Sequence, residues 1–377
     1  MNQASATPRY FIGLMSGTSV DGVDAALIDC SQNQIKLIDF IDHPLPASLT
    51  TDLIALNQTQ ELNLNTLCEL EHQVAQQFIQ ATQTLLNKTQ LSAKDITAIG
   101  SHGQTIFHAP NIPMSLQIGH PAFIAKQTGI DTVADFRIDD LAVGGQGAPL
   151  APSFHQQLFT GSDVTYVINI GGIANVSYLN KQTNELFGFD TGPGNGLMDE
   201  ICQQAFGQAY DKNGEIAASG SIHQALLKQL LAHPYFAQSF PKSTGRETFN
   251  QEWLKQQLDS IPQKISASDL MATLCELTAR SIQVSIQKLA EQLNAPAGQV
   301  WIVGGGAYNS FLIQRIQQAL PNYKVQSSSE ADINPNAIEA MMCGWLAQQR
   351  IDNLPIPLTS ITGSTRNVTL GGLWLAN

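Results

Sequence analysis

A two-domain α/β protein with mixed sheets is the fold class this sequence predicts, and three observations carry it. The 377 residues exceed the length at which one hydrophobic core keeps growing, so the chain is expected to divide. Short β-rich apolar runs alternate with segments whose apolar residues recur every three or four positions, the pattern of strands and helices in alternation. A strand, glycine turn, strand pattern also occurs twice, once near the start and once near the middle.

The first copy comprises residues 10–15 and 23–30, joined by the polar stretch 16–22 and followed by a third run at 35–41. From Leu67 onward, Leu70, Val74, Phe78, Ala81 and Leu85 mark a helix, and the next strand is expected to end at Gly100. The second copy runs through residues 165–170, turns at Gly171 and Gly172, and returns through 175–179. Leu270, Leu274, Leu277, Ile282, Leu289 and Leu293 predict a long helix with Asp269 as N-cap. Strand 299–303, the triple glycine Gly304-Gly305-Gly306, a helix over 310–320 and a last helix over 337–350 complete the chain. The expected first domain is 1–135 plus 360–377, and the expected second is 136–359.

Composition narrows the function. With 43% hydrophobic and 13% charged residues the chain has ample material for packed cores. A net charge of −12 excludes a general nucleic-acid binder, which needs Lys and Arg to neutralise phosphates. The five cysteines lie far apart, without CxxC spacing, and read as buried free thiols rather than a metal site. Neither a signal core nor a membrane-length apolar run is expected, which points to the cytosol.

Candidate binding residues cluster at glycines. Gly17, Thr18, Ser19, Val20, Asp21, Gly22, Val23 and Asp24 put glycines, hydroxyls and carboxylates on one turn, a combination suited to phosphate and a Mg²⁺ shell. An ordinary polar hairpin reads equally well. It is not a P-loop, because Val23 stands where that motif demands lysine, and no GxGxxG opens a helix after a strand. Gly304, Gly305 and Gly306 follow an apolar strand, where backbone N–H groups can face a nucleotide. Gly171, Gly172 and Asn175 form the second phosphate-facing hairpin. The run Gly188-Phe189-Asp190-Thr191-Gly192-Pro193-Gly194-Asn195-Gly196 ends an apolar strand in a carboxylate beside a rigid loop, which makes Gly192 and Asn195 substrate candidates with Asp190. Gln104 and Thr105, in Gly100-Ser101-His102-Gly103-Gln104-Thr105, and Asp135 and Arg137 are donors and acceptors of the kind that bind sugar hydroxyls or, for Arg137, a carboxylate. His102 and His120 read first as structural hydrogen-bonders.

Together these blocks resemble the anhydro-N-acetylmuramic acid kinases. The resemblance rests on Met15-Ser16-Gly17-Thr18-Ser19 through Asp24, Gly100 to Thr105, Asp135-Phe136-Arg137 through Gly144-Gly145-Gln146-Gly147-Ala148-Pro149-Leu150, Asn169 to Asn175, Phe189 to Asn195, and Gly304 to Ala307, in order along nearly the whole chain. Asn336 stands where many members carry an acidic residue. The resemblance implies an actin/hexokinase-like, ribonuclease H-like ATPase fold with an interdomain cleft, ATP with Mg²⁺ bound mainly through it, and a small amino sugar as substrate. No nucleic acid or membrane partner is implied; a homodimer is the one assembly entertained. It also implies that Asp190 is the catalytic base of a reaction that hydrolyses a 1,6-anhydro ring and phosphorylates the freed 6-oxygen, in cell-wall recycling. An ordinary hydroxyl-sugar kinase, or a non-catalytic ATP-dependent clamp, would use the same fold.

Overall fold

The computed structural model describes residues 7–377 except 18–19, 32–33, 60–61, 160–162 and 241. Among the described residues the strands are β1 (Tyr10–Ser16), β2 (Gly22–Asp29), β3 (Lys36–Pro44), β4 (Ile96–Ala109), β5 (Met114–Ile118), β6 (Thr132–Ala134), β7 (Val164–Ile170), β8 (Ile173–Asn180), β9 (Glu185–Pro193), β10 (Gln299–Val303), β11 (Lys324–Ser327) and β12 (Gly372–Trp374). They form two sheets on one plan. In the first, β1, β2 and β3 make an antiparallel meander, and β4 then β6 continue in parallel from the other side of β1. β12 closes that edge antiparallel to β6, and β5 folds back on β4. In the second, β7, β8 and β9 are the meander, while β10 and β11 extend in parallel from β7. A three-strand meander extended in parallel from its first strand is the ribonuclease H-like plan. Its repetition is the actin/hexokinase-like fold.

The chain forms two compact units, Met1–Leu158 with Ala337–Asn377, and Phe159–Asn336. The boundary therefore falls later than the expected 135, and the return begins earlier than 360. The cause is packing in the first unit. Helix Ala151–Leu158 belongs there, with Phe154 against Trp345 at 5.6 Å between ring centroids. Helix Ile338–Ile351 lies directly on β1, β2 and β4. That approach depends on glycine, because a Cβ at Gly13 would fall on the carbonyl oxygen of Ala340, and one at Gly100 on that of Cys343. Arg9 adds a two-pronged ion pair to Asp352 at the helix end, at 2.8 and 2.6 Å.

Helix Leu64–Thr89 covers the same sheet and buries Leu70, Val74, Phe78, Ala81 and Leu85, the periodic set read from the sequence. Asn63 starts it by accepting the Thr66 amide at 3.0 Å. In the second unit, helix Ala267–Leu293 buries Leu270, Leu274, Leu277, Ile282 and Leu289. Its N-cap is Ser266 rather than the expected Asp269. The Ser266 hydroxyl accepts the Asp269 amide at 3.1 Å, and the Asp269 carboxylate accepts the Ser221 amide at 2.7 Å. Glu276, 2% exposed on this helix, accepts from both Arg280 (2.7 Å) and Arg315 (2.6 Å), so its buried charge is compensated twice. Cys202, Cys275 and Cys343 are buried thiols, whereas Cys68 is exposed.

Two strands run further than expected. β4 continues past Gly100 to Ala109, pairing Gln104 with Ser16 of β1 and then turning into β5. β9 continues past Asp190 to Pro193, where a register shift between Ala174 and Asn175 lets Gly192 and Pro193 keep pairing with β8.

Candidate active site

In the second unit, the carboxyl ends of β7, β9 and β10 share one edge of the sheet, the usual ligand end of an open α/β sheet. Val303 pairs with Asn169, so the turns that follow, Gly304–Gly306 after β10 and Gly171–Gly172 after β7, lie side by side. Gly304 takes φ 72° and ψ −171°, a conformation that essentially only glycine adopts, and a Cβ there would strike the Asn169 side chain. The Gly171–Gly172 turn is stitched to the loop after β9: Asn195 N donates to Gly171 O at 2.7 Å, and Gly194 N and Gly196 N donate to Gly172 O at 3.0 and 3.2 Å. Asn195 Nδ2 reaches Ile170 O at 3.3 Å and faces Gly305. Three glycine segments distant in sequence thus converge within this unit.

Asp190 pairs with Asn175 across β8 and β9, so both side chains occupy one face of the sheet near these turns. The Asp190 main chain is pinned by its N–H to Lys242 O (3.1 Å) and by the Tyr235 hydroxyl donating to its carbonyl (2.6 Å). Its carboxylate accepts from Thr244 N at 3.0 Å and from the Ser243 hydroxyl at 3.1 Å. Burial raises the Asp190 carboxyl above the ordinary carboxylate range, opposed by these two donors. Lys242, on the Tyr235 ring face at 4.4 Å, is lowered to about 8, chiefly by burial. Asp199, on helix Gly196–Phe206, is raised to about 7, again by burial first.

In the first unit, the carboxyl ends of β1 and β6 carry the other candidates. Thr18 and Ser19 lie outside the described residues. Gly17 O accepts from Val20 N at 3.3 Å and from Gln104 Nε2 at 3.2 Å, and the Ser16 hydroxyl donates to Gln104 Oε1 at 2.7 Å and Gly22 O at 2.9 Å. Val20 sits at φ 57°, an outlier for a β-branched residue, and its buried side chain anchors the turn. Asp24 is raised to about 7 by burial, with Asp42, Glu339 and Asp21 adding like charge. Asp135 also has positive φ (61°), at the start of helix Phe136–Ala142. Arg137 Nε donates to His102 Nε2 at 3.1 Å, and Arg137 Nη1 to Gly147 O at 2.9 Å. His102 Nδ1 lies 3.0 Å from Gly103 O, which fixes the tautomer: Nδ1 carries the proton and Nε2 accepts. Burial and Arg137 lower His102 to about 3, so it stays neutral.

The family model for anhydro-N-acetylmuramic acid kinase matches residues 9–376. A curated anhydro-N-acetylmuramic acid kinase of Hydrogenovibrio crunogenus is 51% identical over 97% of this chain and 98% of its own length. One from Shewanella denitrificans is 46% identical over 98% and 99%. The chain belongs to the anhydro-N-acetylmuramic acid kinase family. A solved activator of 2-hydroxyisocaproyl-CoA dehydratase from Clostridium difficile, with bound ADPNP, covers 91% of this chain and 96% of its own, with a TM-score of 0.47 and 12% identity.

For this member of the anhydro-N-acetylmuramic acid kinase family, the structure brings Asp190, Asn175, Gly171, Gly172, Gly192, Asn195 and Gly304–Gly306 to one sheet edge, as described above. Several expected contacts change role. Val20 and Val23 are fully buried, and Val20 N already donates to Gly17 O, so their part is to hold the turn. Gln104, 1% exposed, spends both ends of its amide bracing the Gly17 turn, which removes it from the set of sugar-hydroxyl contacts. Thr105 Oγ1 accepts from Gln117 at 3.2 Å. Arg137 commits its Nε N–H and one Nη1 N–H internally, which leaves the other Nη1 N–H and both Nη2 N–H groups as the donors for an expected carboxylate. His120 is the N-cap of helix Pro121–Thr128, accepting the Ala122 amide at 3.2 Å. Sequence reasoning missed Tyr235, Lys242, Ser243 and Thr244. The one signal for Lys242, Ser243 and Thr244 was the polar, glycine-containing run Lys242-Ser243-Thr244-Gly245, and nothing local marked Tyr235.

Proposed function

We propose that the chain is an ATP-dependent kinase that opens the 1,6-anhydro ring of 1,6-anhydro-N-acetylmuramic acid by hydrolysis and phosphorylates the freed 6-oxygen, giving N-acetylmuramic acid 6-phosphate. Family membership supports the reaction. The observation that carries the chemistry is Asp190: a carboxylate raised by burial, pinned through main chain and side chain, at a sheet edge lined with glycine amides.

In the proposed reaction Asp190 takes a proton from water as the water oxygen bonds to the anomeric carbon. The bond from that carbon to the bridging oxygen breaks, and the bridging oxygen bonds to the γ-phosphorus of ATP while ADP departs. One carboxylate then suffices, because the leaving oxygen passes its charge to phosphorus instead of requiring a separate acid. Gly171 N and Gly304 N donate internally, to Ile173 O at 3.3 Å and Pro335 O at 3.2 Å, so the amides of Gly172, Gly305 and Gly306 are the ones proposed as donors to phosphate oxygens, and the turn that opens at Gly17 is proposed as a phosphate contact of the first unit. Mg²⁺ is proposed to come with the phosphates of ATP, whose charge it would offset. No described helix is long and apolar enough to cross a membrane. The proposed setting is cell-wall sugar recycling in the cytoplasm.

The test is purified protein with ATP, Mg²⁺ and amino sugars with and without the anhydro bridge, read by mass spectrometry. The anhydro sugar is expected to gain one water and one phosphoryl group. Phosphorylation confined to open-ring sugars would make this an ordinary hydroxyl-sugar kinase. ATP turnover with no sugar product would make it a clamp.

A further inference from the structure

The Asp190 carboxylate is held asymmetrically. Among the described residues both of its hydrogen bonds, from Thr244 N (3.0 Å) and Ser243 Oγ (3.1 Å), end on the same oxygen, Oδ2. The segment that supplies them is itself registered to Asp190, because Lys242 O accepts the Asp190 amide at 3.1 Å. Tyr235, whose ring carries Lys242, donates to the Asp190 carbonyl at 2.6 Å. Tyr235, Lys242, Ser243 and Thr244 therefore grip Asp190 at its N–H, its C=O and one carboxylate oxygen. Thr244 Oγ1 is buried beside this grip and has no hydrogen-bond partner among the described residues.

We propose that Ser243 and the Thr244 amide are positioning groups that lock Asp190 Oδ2 and so make Oδ1 the atom that receives the proton from water. The proposal rests on the reading of Asp190 as the base. A carboxylate oxygen that already accepts two donors is a poorer proton acceptor than its partner, and fixing it also sets the plane in which the other lone pairs point. The charged and titratable groups acting on Asp190 are Glu247 and Lys242 of the same loop and the Tyr235 phenol from helix Pro234–Ala237. Helix Ala267–Leu293, which also packs on β9, brings uncharged Ser281 toward Gly192. Ser243 is thus the donor whose removal changes one hydrogen bond and no charge.

A donor stabilises the ionised carboxylate, so its loss raises the pH at which Asp190 becomes a base. The experiment compares pH profiles of kcat/KM for wild type, Ser243→Ala and Ser243→Thr, with turnover of Asp190→Asn measured alongside. The acid limb of Ser243→Ala is expected to move up by roughly half a pH unit, with Ser243→Thr restoring the wild-type limb. Ser243 is exposed, so the melting temperature should hold. An inactive Asp190→Asn with the Ser243→Ala limb unmoved, even at a lower overall rate, overturns the positioning role alone. Full activity of Asp190→Asn overturns the base assignment and this proposal with it.

Discussion

Replacing Asp190 with Asn is expected to lower turnover by about 10²-fold or more, the typical contribution of a positioned base, while sugar and ATP still bind. The amide keeps the size of the side chain, and its oxygen can still accept from Thr244 N and Ser243 Oγ. The local structure is therefore retained and only proton acceptance is lost. If Asp190 merely organised its loop, the same substitution would cost about 1 kcal/mol of stability and leave turnover largely intact. Turnover, ligand binding and melting temperature measured on one preparation separate the two. Near wild-type turnover would end the assignment of Asp190 as the group that activates water.

The largest expected effect on folding is at Gly13→Ala. Gly13 is in the middle of β1, and a single added methyl would collide with the backbone of helix Ile338–Ile351 at Ala340, with Gly344 N also inside contact range. Backbone on both sides cannot rotate away as a side chain would, so the helix must lift off the sheet. The cost is expected at or above the upper end of the overpacking range, about 3 kcal/mol. Thermal melting of the variant should show a clear drop in the transition, with reduced soluble yield. An unchanged melting temperature would mean that this helix does not pack against β1 as described.

The same contact explains why some of the fold was hidden in the sequence. The two glycine-turn hairpins, strand β10 and the Leu70 to Leu85 helical face were readable, because each is a local pattern of apolar spacing and turn residues. The domain boundary was not. It depends on helix Ile338–Ile351 returning to lie with Ala340 against Gly13 and Cys343 against Gly100, contacts between residues far apart in the chain, and nothing local records that. Gly100 read as a strand end near a binding loop, but its glycine serves helix packing while β4 runs on. Asp269 read as a cap because its type favours that position, yet the hydroxyl of Ser266 three residues earlier takes the role.

The candidate site was legible to a similar degree. Asp190 and the glycines at 171–172, 192–196 and 304–306 announce themselves by residue type, and the sheet topology brings them to one edge. Gln104 was misread because an exposed amide and a buried bracing amide look identical in sequence. Ser243 and Thr244 were missed because their partner, Asp190, lies more than fifty residues away.

In the proposed reaction a single carboxylate directs water to the anomeric carbon while the bridging oxygen takes the phosphoryl group. The most direct measurement is to run the reaction with ATP and the anhydro sugar in ¹⁸O-labelled water and fragment the product by mass spectrometry. The label is expected on the anomeric carbon, with the phosphoryl ester and its bridging oxygen unlabelled. Label in the phosphoryl group, or a phosphorylated product without label at the anomeric carbon, would contradict it.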